Sequence, residues 1–151
     1  MLNLNKSNKD VLAKLMATEN ITVLHKKVPT AYFDVKSRTL VCPMLKENMS
    51  SELYDLFMGH EVGHARNTPT EGWHSAVCEK GGLFKGYLNV IEDCRIEDKI
   101  KTKYPGLRRS FYKGYEELAS DDFFGIKGKD LSKLNLIDKI NIHFKIGAQA
   151  R

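Results

Sequence analysis

Apolar positions recur at helical spacing through most of the chain and cluster at strand-like spacing only in a short early stretch. Val11, Leu12, Leu15 and Met16 recur at helical spacing, which predicts a helix over about residues 8–18. Ser7 and Asp10 have the capping-box spacing at its start, with Asp in place of the usual Glu or Gln. Ile21–His25, Ala31–Val35 and Thr39–Cys42 are rich in β-branched and aromatic residues and are separated by Pro29 and by Lys36–Arg38. They predict three strands of a small antiparallel sheet, with Pro43 closing the last. Ser50 can cap a helix over about residues 51–66, with Glu52 at the positive end of its dipole. Pro69, Gly72, Gly81 and Gly82 then punctuate a stretch read as loop-rich. A second long helix, over about residues 83–103, ends before Pro105 and Gly106. A third follows over Leu107–Leu118, with Gly114 as a weak point. In the last segment Leu136, Ile137, Ile140 and Phe144 fit a helix, whereas Ile140, Ile142, Phe144 and Ile146 alternate like a strand; periodicity leaves both open.

The 151 residues, 42% apolar and 28% charged, suit one domain with a modest core, read as spanning residues 1–151, and exclude a disordered chain. No apolar run approaches the roughly 18 residues of a membrane span, and the polar start, Met1–Asp10, has no apolar leader segment. A protein of a reducing, bacterial-type cytoplasm with no membrane partner is the expectation. The net charge of +5 slightly favours acidic partners. Lys99–Lys103 with Arg108 and Arg109 read as a solvated helix end rather than a nucleic-acid stripe, so nucleic acid is not the expected partner. Cys42, Cys78 and Cys94 are odd in number and lack CxxC spacing, which argues against a disulfide framework.

The chemistry-bearing residues are His60, Glu61, Val62, Gly63 and His64, an HExxH inside the second predicted helix. At about 100° per residue, both histidines fall within about 20° of Leu53, on the stripe that faces the core. Burying two imidazoles without partners costs about 1–3 kcal/mol each. A metal ion satisfies both, because His residues one turn apart can direct nitrogens at one point about 2 Å from each, as tetrahedral zinc requires. Glu61 lies beside the stripe, where it can reach a metal-bound water without being a ligand. Gly59 and Gly63 each cost the helix about 1 kcal/mol against Ala, which predicts close packing by another element.

A catalytic zinc needs a third protein ligand and an open position. The metzincin extension fails, because the places of its Gly and His hold Asn67 and Thr70. The better source is Asn89–Glu97 on the next long helix, where Tyr87, Val90, Ile91 and Cys94 mark an apolar stripe. Helical geometry then favours Asp93 as the inward carboxylate, with Glu97 one turn on as a hydrogen-bonding partner for a ligand histidine. Glu92, beside Lys99 and Arg95 but with the longer reach, stays open as the third ligand. His74 in the loop, and a closed site completed by Cys78 and Cys94, are the lesser alternatives; Trp73 is read as a pocket wall or an anchor for the loop.

HExxH followed on a later helix by an inward carboxylate resembles the gluzincin branch of zinc metallopeptidases, although an Asp ligand is more like aspzincins. More narrowly, His60–Arg66 with Asn89-x-x-Glu92-Asp93-x-Arg95-x-Glu97 resembles the amino-terminal module of bacterial and phage proteins of the cobaltochelatase-subunit CobT type. The resemblance implies an α+β, zincin-like fold, with a small sheet packed on the HExxH helix and a second helix carrying the third ligand. It implies zinc as cofactor, a peptide or protein as substrate, and a von Willebrand factor A domain or a MoxR-type AAA+ ATPase as partner. The DxSxS motif of an A-domain does not occur in these 151 residues. In such a peptidase Glu61 is the general base, and the substrate lies as an added strand along a sheet edge, here expected at Thr39–Cys42. His74, Tyr104, Tyr112 and Tyr115 are the candidate oxyanion donors. The alternative function is a non-catalytic zincin-like interaction module with a structural metal.

Overall fold

A computed structural model describes residues 2–44 and 49–147, without the side chains of residues 2–7, 74 and 77. The architecture is mixed α+β. Helix α1 (Leu2–Ala17) is followed by strands β1 (Thr22–Lys26), β2 (Tyr32–Asp34) and β3 (Thr39–Pro43), then by helices α2 (Ser51–Asn67), α3 (Thr70–Lys103), α4 (Leu107–Ser120) and α5 (Leu136–Ile146). Among the described residues no helix is long and apolar enough to cross a membrane.

The sheet is mixed rather than antiparallel. Its order is β1-β3-β2, with β1 parallel and β2 antiparallel to β3. β2 and β3 form a hairpin whose turn is held by Asp34, which accepts from the Lys36 backbone at 2.9 Å. β3 occupies the centre because Leu40, Val41, Cys42 and Pro43 are all buried, whereas β1 alternates exposed with half-buried positions. A strand covered on both faces loses its alternation, and the unbroken run Leu40-Val41-Cys42 was the signal for this. Thr39–Cys42 is therefore no edge; the outer strands are β1 and β2.

α1 starts at Leu2, so Ser7 lies inside the helix and does not cap it. Its inward face is Ala13, Met16 and Ala17, while Val11, Leu12 and Leu15 are exposed. Ser50 caps α2 by accepting from the Leu53 backbone at 2.9 Å. Residues 70–80, read as loop, are helical, and α3 breaks only at Gly81, whose φ of 80° and ψ of −178° suit glycine. The carboxy-terminal ambiguity resolves as helix: Asn135 caps α5 by accepting from the Asp138 backbone.

α2 is the hub, with Leu53, Tyr54, Leu56, Phe57, Met58 and Val62 in the core beside Phe111, Leu118, Ile142 and Ile146. Its glycines sit at close crossings. A Cβ on Gly63 would come 2.8 Å from Ile96 Cδ1, and one on Gly59 would come 3.0 Å from the Phe111 ring. Gly114, the weak point of α4, is the tightest of these crossings: its Cβ would meet Leu56 Cβ at 2.9 Å and Leu53 Cα at 3.2 Å. Gly114→Ala must push α2 and α4 apart, which outweighs the gain of about 1 kcal/mol in helix propensity. The expected net loss is about 1–2 kcal/mol, a fall of about 2–8 °C in Tm by thermal denaturation. Gly86→Ala, on exposed α3 with nothing within 4 Å, should stabilise instead.

Candidate metal centre

His60 and His64 lie one turn apart on α2, and α3 crosses so that Asp93 faces both. Asp93 Oδ1 is 3.5 Å from His60 Nε2 and 3.3 Å from His64 Nε2. Among the described residues these three side chains form the one group that could hold a metal ion, their donor atoms all within 4.8 Å of one another. Two ligands bound at 2.0–2.1 Å with a tetrahedral angle between them stand about 3.3–3.4 Å apart. The spacing of Asp93 from each histidine matches that separation and lies at the long end of hydrogen-bonding distance.

The far sides of the rings determine where their lone pairs point. His60 Nδ1 lies 2.9 Å from Glu97 Oε1. Glu97 is fully buried and also accepts from the Tyr115 hydroxyl and, at 3.4 Å, from Lys101 Nζ. Lys101 itself lies over the rings of Phe111 and Phe144. His64 Nδ1 lies 2.9 Å from Thr68 Oγ1, whose single hydrogen goes to Glu92 Oε1 at 2.6 Å. Both Nδ1 atoms therefore face acceptors and carry hydrogen. Both Nε2 atoms face a carboxylate, an arrangement that requires either a proton or a cation between them.

Without a cation the proton fills that place. Burial works against charge on His60, yet hydrogen bonds to Asp93 and Glu97 push it up to about 10. Burial likewise opposes ionisation of Asp93, but its bonds to His60 and His64 hold it well below the usual carboxylate range. An ion with nitrogen and oxygen affinity meets the same need, and two imidazoles with one carboxylate are a zinc-type donor set.

Glu61 is outside this group and lines a pocket of about 170 Å³ with His60, Tyr115 and Lys145, walled by Ala31, Leu56, Phe57, Leu118 and Phe124. Burial raises its carboxyl against the pull of His60 and His64.

The remaining candidates fall elsewhere. Glu92 does not join the histidines; it is buried against Thr68 and pairs with Arg95 at 2.7 Å. Tyr104 donates to the Met16 carbonyl, Tyr112 is exposed, and the Tyr115 hydroxyl is taken by Glu97. Cys78 is exposed, and neither it nor Cys94 belongs to the group. The side chain of His74 lies outside the described residues. Trp73 lines a shallow groove with Pro69, Ala76 and Leu88. The expected stripe of α3 is only partly inward: Tyr87 and Ile91 are about half exposed and Val90 and Cys94 half-buried, while Glu92, Ile96, Glu97 and Ile100 are buried. Sequence reasoning missed Lys145, whose Nζ lies 2.9 Å from Asp93 Oδ2. Its one signal was a lysine on the face of the last helix that also carries Ile142. Compared with family models, curated proteins and solved structures, the chain matches none.

Proposed function

We propose that the protein is a zinc-dependent metallopeptidase of zincin-like build, in which His60, His64 and Asp93 hold the ion. The observation that carries this reading is the pair of Nε2 atoms facing one carboxylate oxygen at 3.3 and 3.5 Å, with both Nδ1 positions already engaged. Bound zinc supplies a Lewis acid that polarises a peptide carbonyl and acidifies water. Glu61, in the adjoining pocket, takes the proton of the attacking water and returns it to the amine nitrogen as the C–N bond breaks. Glu97 and Thr68 keep the two rings oriented throughout. β2 is an outer strand in contact with α2, and the Phe33 backbone of that strand opposes the burial that raises the Glu61 carboxyl. A peptide added as a strand would therefore extend the sheet along β2.

The test is elemental analysis of wild type and His60→Ala, beside cleavage of a denatured protein by the wild type. About one zinc per chain and chelator-sensitive cleavage that zinc restores are expected, with little metal in the variant. No bound metal, and no rise in Tm on adding zinc, would overturn the reading.

A second reading, an interaction module with a structural metal, draws on one observation: Leu83, Tyr87 and Ile91 form an exposed apolar row along α3. Its mark is zinc-dependent stability without cleavage of any peptide.

A further inference from the structure

We infer that Lys145 is the residue that stabilises the negative charge growing on the oxygen of the scissile carbonyl. This rests on the metallopeptidase reading. α5 brings Lys145 to the pocket that Glu61 and His60 line. Its side chain is only 13% exposed, its Nζ lies 2.9 Å from Asp93 Oδ2, and it stands over the Tyr115 ring at 5.8 Å. Asp93 thus turns one oxygen to the histidines and the other to Lys145. An ammonium carries three hydrogens. Asp93 is its one hydrogen-bond partner among the described residues, so two hydrogens are left for a ligand in the pocket.

Lys145 is also the one lysine or arginine lining that pocket, and the apolar walls of Leu56, Phe57, Leu118 and Phe124 strengthen its field. The tyrosine beside it has no free hydroxyl hydrogen, because Tyr115 donates to Glu97. The bond to Asp93 aims the ammonium before substrate arrives and offsets part of its charge. That favours a carbonyl or a partial oxyanion over a free carboxylate as its ligand.

The step balances with the groups named. The water oxygen bonds to the carbonyl carbon, the π pair moves onto the carbonyl oxygen, and Glu61 receives the water proton. Lys145 donates a hydrogen bond to that oxygen. The pair then returns, the C–N bond breaks, and Glu61 passes its proton to the amine. Lys145 keeps its own proton from start to finish.

A residue that only held Asp93 would act through metal affinity, so the test separates the two. Lys145→Met and Lys145→Arg are loaded with zinc and compared with wild type for zinc affinity by chelator competition, for kcat and KM, and for two peptide inhibitors. One is a phosphonamidate, which presents an anionic tetrahedral centre; the other is a thiol peptide, which ligates metal without one. In Lys145→Met we expect zinc affinity and KM near wild type, a kcat lower by about 10²–10³-fold, and phosphonamidate binding weakened in parallel. Thiol binding should be retained, and Lys145→Arg should recover part of the loss. Equal weakening of both inhibitors, or loss of zinc in proportion to loss of activity, would overturn the inference. If zinc-loaded wild type cleaves nothing, the metallopeptidase reading falls and this inference with it; if wild type cleaves and Lys145→Met keeps its kcat and its phosphonamidate binding, the inference alone is overturned.

Discussion

Glu61→Gln is expected to lower turnover by about 10²–10⁴-fold while leaving the zinc content at one per chain. The amide keeps the size of the carboxylate and can still hydrogen-bond to water, but it cannot accept a proton from it. Glu61 stands outside the His60, His64 and Asp93 group, so the substitution removes no donor atom. The fold should be untouched as well, because Glu61 lines a pocket and its side chain belongs to none of the ion pairs among the described residues. The measurement is kcat on a denatured protein, with elemental analysis of the same preparation. Cleavage equal to wild type would remove Glu61 from the mechanism and leave the metal site standing. Loss of zinc together with activity would show Glu61 to be a ligand.

Asp93→Ala should weaken zinc binding by more than about 100-fold, beyond the range of changes to groups that only orient a ligand. It deletes the oxygen that both Nε2 atoms face and leaves Lys145 without its carboxylate partner. Glu92→Ala is the matched comparison, one residue away on the same helix. Glu92 reaches His64 only through Thr68, so its loss should cost about tenfold, at the low end of that range. Chelator competition on the two variants reads the ranking directly. The reverse order would mean that α3 is turned so that Glu92, not Asp93, meets the histidines.

On α3 the sequence reading turned Asp93 toward the histidines and gave Glu97 to one of them, as the structure has it, but it misplaced the apolar stripe. Its wheel was set on the assumption that apolar residues face inward, which put Tyr87, Val90, Ile91 and Cys94 on the buried stripe. Tyr87 and Ile91 face out, and the inward side carries Glu92, Asp93 and Glu97 beside Ile96 and Ile100. A helix that serves a polar centre buries its charges against partners, so hydrophobicity gives the wrong phase. The sheet misled for a related reason. Strand propensity marks where strands are, while their order depends on which strand is covered on both sides. α5 was settled by its cap, which the ambiguous periodicity of Ile140–Ile146 had obscured.

What the sequence determined by itself is everything that one helix or one turn decides. His60 and His64 share a face because residues four apart on a helix must, and Glu61 is beside them for the same reason. Ser50 caps α2 because a serine oxygen can meet the backbone of the third residue on. Gly59 and Gly63 announced a close crossing, although not its partners, Phe111 and Ile96. The wheel of α3 offered Asp93 and Glu97 as well, and the tertiary structure decided what meets what: Asp93 rather than Glu92 facing both rings, Glu97 behind His60, Thr68 and Glu92 behind His64, and Lys145 arriving from the last helix. These depend on how helices cross and rotate against one another, and that is set by the packing of whole faces, in which no local spacing records which residue will meet which.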